Sequence, residues 1–355
     1  MPPPAPRVRA RDLGIEIGRL PTGPVNAITD VPGVQVGHST VWRDEADPPA
    51  GRGVARTGVT AILAGPPLDV MRRPVPAGVA VLNGAGELTS AIQVAEWGVL
   101  ATPILLTSTM QVGRAWDALV DLLADLDPSL GVDDVVIPMV GECDDSTLND
   151  ARRTQISAND VRAAVATAAA GPVAEGAVGA GTGMICCGWK GGIGTASRRL
   201  EEIDATVGVL LLTNFGSAEH LTVDGVPVGR SLRPPSPPLD DDAGSCIGIV
   251  ATDAPCSAHH LQRLARRVGL GLARCGSVAH HGSGEIFAAF GTVPAAGLVP
   301  IDDARLNVLF AAVVEASEEA VINSLTAADT VSGTAGRTAH GLPLDELATL
   351  VGSRR

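Results

Sequence analysis

SLRPPSPPLDDDAGSCIGIVA, residues 231–251, changes character at one peptide bond, Gly244–Ser245. Upstream, Pro and Asp crowd the segment Ser231 to Gly244, which reads as an exposed loop. Downstream, Ser245, Cys246, Ile247, Gly248, Ile249 and Val250 turn apolar at once and read as a buried strand. A small hydroxyl residue thus opens a strand at the end of a loop, an arrangement that suits a self-cleaving hydrolase. In that chemistry the Ser245 hydroxyl attacks the Gly244 carbonyl, the amide becomes an ester, and water releases a new N-terminus. Ser245 then carries nucleophile and base on one residue. An α-amine has a pKa of about 7.7–8.0, against about 10.4 for lysine, so near neutral pH it takes a hydroxyl proton without first being buried. Gly-Ser junctions between loops and strands are common, so this bond alone does not decide the matter.

The rest of the composition narrows the field. A chain of 355 residues, 45% of them hydrophobic, can bury a sizeable core. The expected organisation is a single domain over residues 1–355, divided by the Pro-rich loop into two pieces of one fold. A net charge of −13 and a pI of about 4.9 argue against nucleic acid or an anionic membrane as partner. No apolar stretch reaches the ~20 residues of a spanning helix. The N-terminal MPPPAPRVRARDLG lacks the apolar region of a signal peptide, so a cytoplasmic protein is expected. The six cysteines form no CxxC pair and read as buried free thiols. Among the seven histidines, His259–His260 and His280–His281 are adjacent and cannot share an element's face, so no metal site is expected. Tyr is absent, and the core is built from Ala, Val, Leu and Gly.

Periodicity and punctuation give a succession of strands and helices. Asn26 to Val41, with a turn at Pro32-Gly33, reads as a hairpin. Gly58 to Leu63, Gly78 to Leu82, Thr102 to Thr107 and Val135 to Met139 read as strands. Leu88 to Trp97, stopped by Gly98, and Val112 to Leu126 read as helices. Ser157 caps a helix running to Ala170. Ala205 to Thr213 is a strong strand, with Leu221 to Gly229 as its expected hairpin partner. Ser257 caps a further helix, Ile286 to Phe290 is a strand, and Asp302 or Asp303 caps the longest helix, Ala304 to Leu325. A short helix near Leu344 to Val351 ends the chain.

Four further positions are candidates for chemistry. Ser283 and Glu285 lie in a turn-like stretch ahead of a strand, where a carboxylate next to a hydroxyl can polarise its proton. With Ser245 they would make a relay without histidine, although Glu285 also fits a solvated turn acid. Asn214 ends a strand, where an amide donor can stabilise an oxyanion, an effect worth about 3–4 kcal/mol; a turn-forming Asn before Gly216 is the plainer reading. Glu142 also sits at a strand end and can hold a substrate amine, or be a loop acid. Gly179 to Gly183, GAGTG, lacks the strand–turn–helix context of a dinucleotide loop.

Taken together, several segments carry a resemblance. Arg9 to Gly14, PTGPVNAITDVPGVQVGH from Pro21 to His38, Asn83 to Thr89, GTGMICCGWKGGIGTASR from Gly181 to Arg198, GSCIGIVATDAP from Gly244 to Pro255, and Gly282 to Glu285 occur in order over nearly the whole chain. The chain closely resembles the DmpA-type aminopeptidases, which include L-aminopeptidase/D-Ala-esterase-amidases and β-peptidyl aminopeptidases. The resemblance implies an α/β (α+β) fold, a four-layer αββα sandwich with layers similar to those of N-terminal-nucleophile hydrolases but different connectivity. It implies self-cleavage between Gly244 and Ser245 into an α-chain of residues 1–244 and a β-chain of residues 245–355. Ser245 matches the nucleophile, Ser283 and Glu285 its supporting pair, Asn214 the oxyanion-hole donor, and Glu142 the group that binds the substrate's free amine. It also implies a homo-oligomer, often four cleaved heterodimers, and no metal or organic cofactor.

Two departures fall where substrate would bind. Some members place a catalytic tyrosine after Glu142, and this chain has none; the role is vacant or filled by backbone amides and water. Members often show Asn-Gly-Asn-Gly-Glu where this chain has Asn83-Gly84-Ala85-Gly86-Glu87. The leading expectation is therefore an aminopeptidase or amidase acting on a small peptide, amide or ester through an acyl-enzyme on Ser245. Two other expectations stand beside it: acyl transfer on a related fold, as from N-acetylornithine to glutamate, and an unprocessed binding or assembly subunit. Purified protein is expected to give two fragments by intact mass, one beginning Ser-Cys-Ile-Gly by N-terminal sequencing. Ser245→Ala should leave a single chain near 36 kDa; a variant that still splits would place the nucleophile elsewhere.

Overall fold

Caps and stops set the helix boundaries much as local chemistry dictates. The Asp160 carboxylate accepts from Ser157 N at 2.8 Å and Oγ at 2.7 Å at the start of one helix. Ser257 Oγ accepts from His260 N at 3.3 Å at the start of another. Gly98 takes the left-handed conformation, φ 71°, and its N–H closes the preceding helix on Val94 O. The computed structural model describes residues 7–235, 243–294, 297 and 299–353. In chain order its strands are β1 Gln35–Asp44, β2 Val54–Leu63, β3 Val75–Gly84, β4 Val99–Leu100, β5 Ile104–Ser108, β6 Met139–Cys143, β7 Ile185–Cys186, β8 Trp189–Lys190, β9 Gly192–Leu200, β10 Ala205–Asn214, β11 Ala243–Thr252, β12 Gly282–Gly291, β13 Val331–Ser332 and β14 Thr338–Ala339. Its α-helices are α1 Pro67–Arg72, α2 Ala91–Trp97, α3 Val112–Leu126, α4 Ala158–Ala166, α5 Ala258–Arg274, α6 Leu306–Thr326 and α7 Leu344–Gly352.

Two sheets face each other. One has the order β1-β2-β5-β6 and the other β4-β3-β12-β11-β10-β9. Each contains one parallel pair joined through a helix: β5 and β6 through α3, β11 and β12 through α5. Strand alternation divides the apolar residues into three layers of core. Ala61, Leu105 and Val140 face Ala115, Leu119 and Val161 of α3 and α4. Ile62, Leu106, Leu212, Ile247 and Ile286 fill the space between the sheets. Val209, Leu211, Val250 and Phe287 face Leu264, Val268, Val313 and Val321 of α5 and α6. The sequence of layers is helix, sheet, sheet, helix, the expected αββα sandwich.

Several local expectations are corrected. Residues 26–41 do not form a hairpin by themselves: Ile28–Asp30 is a 3-10 turn, and β1 pairs with β2. Pro32-Gly33 introduces the strand rather than reversing it. The strand expected over Val135 to Met139 begins where that segment ends, as Met139–Cys143, because Thr102 and β5 offer ladder partners only from Met139 onward. Leu221 to Gly229 is not the partner of β10, whose two edges are taken by β9 and β11; it makes tight turns instead. The loop expectation for Ser231 to Gly244 falls partly outside the described residues, at 236–242. At its far end β11 already includes Ala243 and Gly244, so the Gly244–Ser245 bond lies within the strand.

The N-terminal segment is fastened to α6 by a buried ionic cluster. Arg198 on β9 and Glu319 on α6 are both fully buried, 2.8 Å apart. Glu319 also accepts from Arg11 Nε at 2.7 Å and Asn26 Nδ2 at 2.6 Å. Burial pushes this carboxyl up, but Arg11, Arg198 and Asn26 together hold it below its ordinary value. Removing one member of such a cluster strands the other charge without solvent, a loss of about 3–5 kcal/mol. Glu319→Ala is expected to lower the urea midpoint by that amount. Because the folded value lies below the unfolded one near 4.5, the stabilisation is complete above it and fades on acidification. The gap between wild type and variant should therefore narrow as pH falls below the unfolded value of about 4.5 and through the lower folded one.

Candidate active site

Strand register assembles the site. β11 runs antiparallel to β10 and parallel to β12, which sets Ser245 opposite Asn214 on one side and Gly284 on the other. Ile247 and Ile249 of β11 face the core between the sheets, and Ser245, two residues before Ile247, shares their side. There it lines a cleft of about 750 Å³ together with Gly86, Thr109, Glu142, Asp144, Asn214 and Gly244. Ser245 Oγ is buried, with the Cys143 thiol beside it and no oxygen or nitrogen partner among the described residues. Asn214 is held at both ends of its amide: Oδ1 accepts from Ile185 N and Nδ2 donates to Asp144 O, each at 2.9 Å. A carboxamide nitrogen carries two N–H groups, so a second remains beside Ser245 for another acceptor.

Glu142 comes from the opposite sheet. Its strand, β6, reaches β11 closely because Gly141 has no side chain; a Cβ there would lie 2.9 Å from Ile247 Cγ2. Glu142 is buried, accepts from Glu87 N at 2.8 Å and takes a hydrogen bond from the Thr109 hydroxyl. Burial raises its carboxyl, the two hydrogen bonds oppose that rise, and the charges that reach it, Asp144 and Glu87, are negative. A buried carboxylate on a cleft wall with only anions for charged neighbours is a seat for a cation.

Ser283 and Glu285 stand on the neighbouring strand, in register with Gly244 and Cys246. The Ser283 hydroxyl donates to Glu285, and the other oxygen of Glu285 is buried without a partner. Burial raises the Glu285 carboxyl and the Ser283 bond opposes it. Neither residue lines the cleft, and neither bonds Ser245 Oγ. They join each other at the level of the Gly244–Ser245 peptide, whereas Ser245 turns its side chain to the cleft. Between them, Gly284 leaves room for the Gly-rich loop: a Cβ there would lie 2.5 Å from Ala85 O. Residues 83–87 are in turn held by Asn83 Nδ2 on His280 O at 2.7 Å.

The sequence chemistry matches peptidase family S58 over residues 26–339. The chain belongs to this family. It is 40% identical to the β-peptidyl aminopeptidase BapA of Sphingosinicella microcystinivorans over 370 aligned positions, covering 97% of this chain and 91% of BapA. Its fold is similar to that of a Burkholderia sp. β-aminopeptidase, with a TM-score of 0.89, 42% identity, and 98% and 99% of the two chains covered. It is also similar to the L-aminopeptidase D-Ala-esterase/amidase of Ochrobactrum anthropi, a prototype of the serine aminopeptidases with a variant of the Ntn hydrolase fold. There the TM-score is 0.88 at 38% identity, with 98% of each chain covered. The protein is accordingly a serine hydrolase of the aminopeptidase type, with the DmpA-type fold.

Around this cleft, sequence reasoning did not single out three contributors. Thr109 holds Glu142 from the end of β5, and its signal was the parallel pairing of β5 with β6, which no local pattern reveals. Asp144 matters through its backbone carbonyl, and Ile185 through its N–H. Beneath the site, burial raises Asp145 to about 6 and lowers Lys190 to about 7; Lys190 Nζ donates to Gly181, Met184 and Gly191 carbonyls and fixes the Gly-rich segment. Among the described residues no group of three or more His, Cys, Asp or Glu is placed to hold a metal ion. Glu142→Gln should raise KM for amine-bearing substrates by at least about thirtyfold, the scale of a lost buried charge pair. Because the Glu142 carboxyl is raised, wild-type KM should climb as pH falls through that raised value, and the climb should be absent from the variant. A KM–pH profile identical in both would remove Glu142 from the site.

Proposed function

We propose that the chain cleaves itself between Gly244 and Ser245 and then removes the N-terminal residue from small peptides, amides or esters through an acyl-enzyme on Ser245. The observation that carries this reading is the Ser245 hydroxyl, buried in a cleft between Glu142, a carboxylate in no ion pair among the described residues, and a rigidly held amide, Asn214. In processing, Oγ attacks the Gly244 carbonyl and the hydroxyl proton passes to the departing nitrogen. Water then splits the ester, leaving a carboxylate on Gly244 and an α-amine on Ser245. In turnover that amine takes the Oγ proton, Oγ attacks the substrate carbonyl, and the oxyanion is met by Asn214 Nδ2. The protonated amine gives its proton to the leaving nitrogen or oxygen, and water releases the acyl group. Ser283 and Glu285, level with the new terminus, hold and orient the amine; this supports the hydroxyl indirectly. Glu142 selects substrates with a free amine.

Relatives named for β-peptidyl substrates and for L-residues lead us to propose both β- and L-α-aminoacyl substrates for this chain. Acyl transfer to glutamate finds no support among the relatives. Assembly into homo-oligomers of cleaved heterodimers, four in number, belongs to the same proposal; exposed Val81, Leu82, Ile92 and Trp97 on β3 and α2 offer apolar surface for it. So does a cytoplasmic location; no helix among the described residues is long and apolar enough to cross a membrane. The direct test is hydrolysis of β-alanine, L-alanine and D-alanine p-nitroanilides by processed enzyme. Asn214→Ala should lower kcat about 10²- to 10³-fold with little change in KM. A kcat within twofold of wild type would assign the oxyanion to other donors.

A further inference from the structure

Arg337 is the one cation among the described residues that line the cleft. It stands at the end of the turn between β13 and β14, whose residues Ala335 and Gly336 are both left-handed, with φ of 55° and 71°. An alanine in that region is strained, and neighbouring bonds hold it there. Gly333 N donates to Arg337 O at 2.8 Å, Arg337 N to Thr334 O at 3.1 Å, and Thr334 N to Leu148 O at 2.8 Å. Arg56 Nε donates to Ser332 O at 2.9 Å from below. The hairpin is thereby tied to the turn that follows β6, the strand carrying Glu142. Its backbone is fixed, while the Arg337 side chain is exposed and, among the described residues, in no ion pair or side-chain hydrogen bond. Asp144, an acid that lines the same cleft, already accepts from Ser146 N and Oγ, each at 2.9 Å.

The cleft thus carries opposite charges on separate elements: a buried carboxylate on β6 and an unpaired guanidinium on the β13–β14 turn, with Ser245 on a third. A short peptide is itself a dipole of this kind, an ammonium at one end and a carboxylate at the other, separated by roughly 3.5 Å per residue. Resting on the aminopeptidase reading above, we propose that Arg337 is a specificity-determining residue that pairs with the C-terminal carboxylate of a di- or tripeptide whose amine is held at Glu142. Guanidinium and carboxylate match as two-pronged partners. The pair forms on the leaving-group side of the scissile bond, so it selects short peptides with a free C-terminus over their amides.

The test compares alanyl-alanine with its C-terminal amide, and β-alanyl-alanine with its amide, in processed wild type, Arg337→Gln, Arg337→Lys and Arg337→Glu. Wild type should favour the free acid in kcat/KM by about three- to tenfold, the scale of one partly exposed ion pair. The ratio should fall to about one in Arg337→Gln, be partly kept in Arg337→Lys, and invert in Arg337→Glu, mainly through KM. Equal use of acid and amide by wild type, or an unchanged ratio in Arg337→Gln, would overturn the proposal while leaving the aminopeptidase reading intact. Failure of wild type to hydrolyse any of these peptides and the aminoacyl p-nitroanilides would overturn both.

Discussion

The ladder of backbone hydrogen bonds that holds β11 between β10 and β12 is the constraint on which the site depends. It fixes Ser245 opposite Asn214 and level with Gly284, and it sets the Gly244–Ser245 bond inside a strand instead of in the loop before it. Because side chains alternate, a slip of one residue would turn Ser245 to the helix side and Cys246 to the cleft. The apolar residues that follow guard against this. Ile247, Ile249 and Ala251 belong between the sheets, while Cys246 and Val250 belong against the helices. The hydrophobic pattern of one strand therefore aims the Ser245 side chain.

The second determinant is the approach of the two sheets. Gly141 lets β6 lie close to β11, and Gly284 lets the 83–87 loop settle on β12. Their meeting buries Glu142 beneath Glu87 N and Thr109, in no ion pair among the described residues. This buried acid is held by hydrogen bonds alone, unlike Glu319, which sits among arginines. The contrast separates a carboxylate that fastens the fold from one in no ion pair among the described residues, the place our reading gives to the substrate amine.

Much of the architecture was legible in the chain. Ser157 with Asp160, Ser257, and Gly98 announced helix ends because capping is settled within a few residues. The errors were of one kind. Residues 26–41 read as a hairpin from a local turn signal and residues 221–229 as the partner strand of β10, yet their apolar residues are satisfied by 3-10 turns and by contacts distant in sequence. The strand at Met139–Cys143 was misplaced because its partner, β5, is reached only across α3. Pairing energy lies in the partner, and a single segment does not contain it.

By itself the sequence picked out Ser245 and the bond before it as candidates, and paired Ser283 with Glu285, since each rests on residues adjacent or two apart. Resemblance in ordered segments gave the family and the roles of Asn214 and Glu142 as expectations. Only tertiary structure set Asn214 across from Ser245, left Glu142 in no ion pair among the described residues, turned Ser283 and Glu285 away from the cleft, and carried Arg337 to its rim. These are relations between strands within one sheet and between the two sheets. They come from register and from the packing of two faces, quantities that a linear chain acquires only when its hydrophobic surfaces meet.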